Sequence, residues 1–160
     1  MIDSAERRVA QGRILVVDGE ETIREISISV LVKAGYECLE AATGLEALAL
    51  LDSGERFDLM LTELVMPGLD GVGLLDRTRI EYPDMPVVIV CSIRDIDVAI
   101  EVFRHGACDY LQKPVGFEQF MSVVTRALED QKRRREHQAY VSRLESQVAE
   151  LTERLRVAKR

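Results

Sequence analysis

Seven polar residues stand at or just beyond the ends of short apolar runs, where side chains of their types can act together. Asp18, Glu20 and Glu21 follow one run, Glu63 closes a second, Ser92 closes a third, and Tyr110 and Lys113 belong to a fourth. Carboxylate oxygens are the natural ligands of a hard divalent cation such as Mg²⁺. A lysine ammonium and a hydroxyl suit phosphate oxygens. Brought to one cleft, the set fits a hard cation together with a phosphoryl group. Any one of these residues alone is an ordinary polar side chain at a strand end. The weight lies in their all falling at equivalent places.

A parallel sheet would gather them. Strong β-type apolar runs occur at Arg13–Asp18, Phe57–Glu63 and Pro86–Ser92, with weaker ones at Glu37–Ala41 and Cys108–Gln112. Between them, apolar residues recur at three and four positions, as in Ile23, Ile26, Val30 and Leu31, then Ala47, Leu48 and Leu51. Val72, Leu75 and Ile80, and then Val98, Val102 and Phe103, repeat the pattern. Gly35, Gly54, Pro83 and Gly106 fall where those helices should stop. Strands alternating with helices predict an α/β fold, a five-stranded doubly wound parallel sheet covered on both faces. Loops at the carboxyl ends of such strands form the ligand crevice, so distance along the chain ceases to matter.

The chain of 160 residues is 47% hydrophobic and 31% charged, enough for one ordinary domain plus an appendage. This composition excludes collagen-like, disulfide-stapled and disordered classes. Cys38, Cys91 and Cys108 cannot all pair, and Cys91 sits in an apolar run, so buried thiols in a reducing compartment are expected. No apolar run approaches the ~20 residues that span a bilayer. Charges occupy the N-terminus where a signal peptide would be apolar, so a cytoplasmic protein with no membrane partner is expected. Residues 1–128 carry 22 Asp/Glu against 12 Lys/Arg, whereas residues 129–160 carry 9 Lys/Arg against 6 Asp/Glu. An acidic domain with a mildly basic tail is not a nucleic-acid-binding footprint. The cluster Lys132–Arg135 reads as a solvated helix face.

The chain divides into three segments: a polar N-terminal tail over 1–12, a domain over 13–128, and a helical extension over 129–160. Phe117, Phe120, Met121, Val123, Val124, Ala127 and Leu128 outline the packing face of a last domain helix. Beyond a charged stretch, Val141, Leu144, Val148, Leu151, Leu155 and Ala158 repeat at alternating steps of three and four. That is the a/d pattern of a coiled coil, and it predicts a homodimer. No Gly or Pro interrupts Phe117–Arg160, so one long helix is expected. His137 lies on it, but Gln138-Ala139-Tyr140 lacks the acidic neighbour of a phosphorylated histidine. His105 reads as an ordinary helix-surface residue.

Four stretches together carry a family resemblance: ILVVDGEE, DLMLTELVMPGLDG, VVIVCS and GACDYLQKP. Over about residues 13–128 the chain resembles the receiver domain of bacterial two-component response regulators. The resemblance implies a flavodoxin-like sheet of order 2-1-3-4-5, in which a sensor histidine kinase passes a phosphoryl group to an aspartate with Mg²⁺ bound. Carried over by position, Asp18 is the first member of the acidic pair and Glu63 stands at the phospho-acceptor position. Ser92 matches the switch hydroxyl, Tyr110 the switch aromatic and Lys113 the phosphate-contacting lysine. Lys113-Pro114 matches the family's cis peptide bond.

Two departures from that pattern bear on chemistry. The acceptor is Glu63 rather than aspartate, and the second acidic residue, a metal ligand in the family, is Gly19. The extra methylene moves the carboxylate more than a bond length into the cleft, and a misplacement of ~1 Å can cost ~10²-fold in rate. Glycine supplies no ligand, although Glu20 or Glu21 can partly substitute. A weak or lost Mg²⁺ site at Asp18 and Glu63 is expected, with no other cofactor and no enzymatic activity. The reading is an atypical pseudo-receiver in phosphorelay signalling that regulates assembly or output through its C-terminal helix. A kinase or a downstream effector domain would be its partners. The alternatives are a functional Mg²⁺-dependent phospho-acceptor and a non-switching dimerisation or scaffold domain. A small Mg²⁺-dependent phosphatase is disfavoured because its nucleophilic aspartate is missing.

Overall fold

The structure is a computed structural model and describes residues 11–160, so nearly all of the expected tail over 1–12 lies outside the described residues. Five strands alternate with five helices in the order β1 (Arg13–Val17), α1 (Glu21–Lys33), β2 (Glu37–Ala41), α2 (Gly44–Asp52), β3 (Leu59–Glu63), α3 (Gly71–Glu81), β4 (Val87–Cys91), α4 (Ile96–Arg104), β5 (Asp109–Gln112) and α5 (Phe117–Ala158). The sheet runs β2-β1-β3-β4-β5 and every pairing is parallel. Val17 lies opposite both Ala41 and Thr62, Glu63 opposite Val90, and Cys91 opposite Gln112. This register carries the ends of β1, β3, β4 and β5 to one edge, as the sequence predicts.

The apolar runs are continuous because both faces of the sheet are covered. Side chains alternate across a strand. Leu15, Val17, Met60 and Ile89 therefore join Leu48, Leu74, Leu75 and Val102 of α2, α3 and α4 in one core. Ile14, Val16, Leu61 and Val88 join Leu31 of α1 and Val123, Val124 and Ala127 of α5 in the other. Each fully buried side chain of this size contributes roughly 1.5–3 kcal/mol.

Helix starts are set by short polar side chains. The Thr43 hydroxyl accepts from Glu46 N–H (3.1 Å), while the Glu46 carboxylate accepts from Ala42 N–H (2.8 Å). Asp70 caps α3 by accepting from Gly73 N–H (2.8 Å), and Asp95 caps α4 by accepting from Asp97 N–H (2.9 Å). Helix α1 is the exception. Its N-cap residue, Glu20, makes no capping bond with its side chain. That leaves the carboxylate available to the site.

Several expected core positions face solvent instead. Ile80 is 80% exposed because it lies about 200° around α3 from buried Thr78, on the opposite face. Phe103 on α4 and Phe117 at the start of α5 are also largely exposed. Cys91 is buried, but Cys38 is only half-buried and Cys108 is exposed, so burial does not extend to all three thiols. Burial pushes the Cys38 thiol up to about 11.

Two compact units divide at Leu128/Glu129. The second, Glu129–Arg160, is helical throughout the part of α5 it contains, and Val141, Leu144, Val148, Leu151 and Leu155 are all exposed on it. Among the described residues, no helix is long and apolar enough to cross a membrane.

Candidate functional site

The site forms where β1, β3, β4 and β5 end. Asp18 comes directly after β1 and is buried, its amide donating to the Ala41 carbonyl (3.2 Å). Arg24, one turn into α1, donates to the Asp18 carbonyl (2.7 Å), tying helix to strand end. Glu63 is the last residue of β3. The turn from Glu63 into α3 is held tightly. Gly71 N–H donates to the Leu64 carbonyl (2.8 Å), and a Cβ on Gly71 would lie 2.5 Å from the Glu63 carbonyl oxygen. Only glycine admits that approach of α3 to the strand. Gly68, at φ +76°, makes the intervening turn.

Lys113 reaches the centre from β5, beside a cis Lys113-Pro114 peptide. Its ammonium donates to Asp18 Oδ2 (2.8 Å) and to Glu63 Oε1 (3.2 Å). The side chains of Asp18, Glu63 and Lys113 are only 6%, 16% and 15% exposed. Burial pulls the lysine down, but hydrogen bonding and charge from Asp18, and then from Glu63, outweigh it and leave the group raised above its ordinary value. It is an ammonium throughout the neutral range. The second oxygen of Glu63, Oε2, accepts from Gly19 N–H (3.2 Å), and Asp18 Oδ1 accepts from Glu20 N–H (2.8 Å).

Carboxylate oxygens of Asp18, Glu20 and Glu63 lie within 4.8 Å of one another. Glu21 belongs instead to the first turn of α1 and is outside this group. Ser92 is exposed, lines the same cavity as Asp18, Glu63 and Lys113, and makes no hydrogen bond to Glu63. Tyr110 is half-buried and its hydroxyl donates to the Ile93 carbonyl (2.9 Å), in the segment joining β4 to α4. Burial, together with the neighbouring Cys91, raises this phenol above its ordinary value and keeps it a donor.

Some participants were not visible in the sequence. The Gly19 amide and the Arg24 guanidinium act on backbone or through backbone, which residue type does not announce. His105 is not the ordinary surface residue it resembles. Its Nδ1 pairs with Asp76 (2.7 Å) on α3 and its Nε2 with Glu101 (2.9 Å) on α4. The Glu101 partner is signalled by the four-residue spacing; Asp76, 29 positions away, is not.

A five-stranded 2-1-3-4-5 sheet with a carboxylate pair and a lysine at the carboxyl edge defines a class, and the sequence comparison agrees. Residues 14–125 match the response regulator receiver domain, and the chain belongs to that family. It is similar to the DNA-binding transcriptional regulator NtrC of Salmonella typhimurium, 36% identical over 118 residues that are 74% of this chain and 25% of the relative. The crystal structure of NtrX from Brucella abortus superposes with a TM-score of 0.76 at 33% identity, covering 82% of this chain and 29% of that one. A CheY-like receiver domain from Methanospirillum hungatei gives 0.72 at 29% identity, covering 76% and 97%. The chain thus spans about a quarter of the length of the curated relatives it matches.

Receiver domains hold Mg²⁺ in an acidic pocket, and the oxygen donors here are of the right chemistry. Asp18, Glu20 and Glu63 are the residues that would hold the ion. Bound there, Mg²⁺ would neutralise carboxylate charge and that of a phosphoryl group. Two of the three carboxylates already accept from Lys113, and position 19 contributes no side chain.

Proposed function

We propose that this receiver module works as a pseudo-receiver in phosphorelay signalling, one whose acceptor chemistry has given way to a permanent carboxylate. The supporting observation is the placement of Glu63, one oxygen on the Lys113 ammonium and the other on Gly19 N–H. A carboxylate so engaged is a poor nucleophile, and the missing acidic side chain at Gly19 weakens Mg²⁺ binding. The module is then not an enzyme. Its state passes to assembly or output through the helix over 129–160, with a homodimer, a sensor kinase or an effector domain as partners. Its relatives include DNA-binding regulators. With 22 Asp/Glu against 12 Lys/Arg over residues 1–128, nucleic acid is not the proposed ligand of this domain.

A second reading, a working phospho-acceptor, draws support from the three clustered carboxylates. Acetyl phosphate with Mg²⁺, followed by intact-mass measurement, separates the two. No adduct is expected on the wild-type chain. A stoichiometric phosphoryl adduct that disappears in Glu63→Gln would establish the second reading instead. The double variant Gly19→Asp/Glu63→Asp is expected to gain labelling. A Cβ at position 19 would meet Glu63 Oε2 at 3.7 Å, an ordinary contact, so the backbone there accepts a side chain.

A further inference from the structure

A cavity of about 550 Å³ opens from the carboxylate cluster into the space between α1 and the start of α5. That volume is in the ~300–1,000 Å³ range of small-molecule sites. Ile23, Ile26 and Val30 line it from α1, and Val115, Phe117 and Phe120 line it from the opposite side. At its polar end stand Asp18, Glu63 and Lys113. Ile26 is 58% exposed and Phe117 66% exposed, so two large apolar side chains at the cavity are left uncovered by the domain itself.

The charge at the polar end selects the ligand. Two carboxylates, Asp18 and Glu63, stand there with one ammonium that is already shared between them, and the Glu20 carboxylate lies within 4.8 Å of both without lining the cavity. The excess is negative. Each carboxylate oxygen can accept more than one hydrogen bond, so Glu63 retains capacity after Lys113 and Gly19 are counted. An anion would meet uncompensated carboxylates, whereas a neutral apolar molecule would leave the polar end unused. We propose that the cavity binds a small organic cation, an ammonium on an aryl or alkyl body. The body packs against Ile26, Val30 and Phe120, and the ammonium sits on Glu63. This goes beyond the pseudo-receiver reading, and the binding itself does not depend on it, whereas its use as an input does. Such a ligand would give a module that no longer takes phosphate a chemical input at the same edge of the sheet.

The test is an amide-resolved NMR titration of the full chain with 4-phenylbutylamine, 4-phenylbutan-1-ol and 4-phenylbutyrate. The amine is expected to bind near or below about 1 mM and ~10-fold more tightly than the alcohol, with the butyrate weakest. Shifts should centre on Ile26, Val30 and Phe120. Glu63→Gln should abolish the preference of amine over alcohol. Ile26→Arg, a change at an exposed position that does not threaten the fold, should weaken the amine by at least ~10-fold. Failure of all three compounds to bind, equal binding of amine and alcohol, or shifts away from α1 would each overturn the proposal. The acetyl phosphate assay is independent of all these outcomes, so the pseudo-receiver reading can fail or survive separately.

Discussion

Glu63 and Asp18 share one ammonium but stand in different surroundings, and single substitutions should separate their contributions. Asp18 is the more buried and also accepts from Glu20 N–H. Removing Lys113 leaves it a desolvated charge without its counter-ion. A buried charge deprived of its partner costs about 3–5 kcal/mol. Lys113→Ala is therefore expected to destabilise the domain by about that amount in urea unfolding, and Glu63→Gln by less than about 1 kcal/mol, since Lys113 keeps Asp18. Equal losses would mean that Glu63, not Asp18, anchors the lysine. The switching consequence is limited by magnitude. Moving an equilibrium from 1:99 to 99:1 takes ~5.5 kcal/mol, whereas an exposed ion pair supplies about 0–1 kcal/mol. On the pseudo-receiver reading proposed above, the Glu63–Lys113 contact would bias a switch without fixing it. Both substitutions should shift Tyr110 and the β4–α4 segment in the same direction by NMR; changes confined to their own neighbours would make Glu63 a relic.

Among the elements, α3 and α4 are joined by a contact with a proton count. His105, at the C-cap of α4, lies between Asp76 of α3 and Glu101 of its own helix, while Arg79 of α3 approaches the next residue, donating to the Gly106 carbonyl at 3.5 Å. Hydrogen bonds to Asp76 and then Glu101 raise the imidazole above its ordinary value, outweighing the small opposing effect of desolvation. A folded-state value above the unfolded one, ~6.5, means that the stabilisation is complete below the unfolded value. It is lost as pH rises through the raised folded value. The gap in melting temperature between wild type and His105→Gln should thus be widest below pH ~6.5 and narrow as the pH rises above it. A pH-independent gap would show the histidine to be a neutral spacer. The strands were legible because two-sided burial writes itself as continuous apolar runs, and their ends came within two residues. Helical faces were less so. A helical repeat includes Ile80, eight residues after Val72, and Ile26, three after Ile23, as readily as their buried neighbours, and only the packing of α3 and α1 on the sheet decides which of them turn inward. For Ile26 the answer is a cavity edge, which no periodicity encodes. The carboxyl-edge residues were legible because a parallel sheet imposes their meeting, whereas the Asp76–His105 contact depends on helix packing and was not.

At the scale of the molecule, the helix over 129–158 sets the question of assembly. About 45 Å long at 1.5 Å per residue, it carries an apolar stripe that its own unit does not cover. Strong helix formers such as Glu, Arg, Gln, Ala and Leu fill this segment, and burying such a stripe is the main further source of stability for a helix. Val141 and Val148 at a, with Leu144 and Leu151 at d, match the preference of parallel two-stranded coils for β-branched a and leucine d residues, whereas Leu155, also at a, is not β-branched. Against them, Arg154 at g would face Lys159 at e of a partner. Arg154 already pairs with Glu150 one turn back (2.7 Å), which blunts that repulsion without making it attractive. With three heptads and one unfavourable flank, self-association in the micromolar range is expected, ~10³-fold weaker than a nanomolar coil. Sedimentation equilibrium on the intact chain and on a version ending at Asp130 measures it. The intact chain should dimerise below about 100 µM and the shorter one should not. A monomeric intact chain, or a truncated one that dimerises equally well, would remove the helix from the mechanism and move any interface to the faces of the receiver domain. If the intact chain does dimerise, Leu144→Ser/Leu151→Ser should abolish association while leaving the urea unfolding of the receiver domain unchanged, because both leucines lie outside its cores.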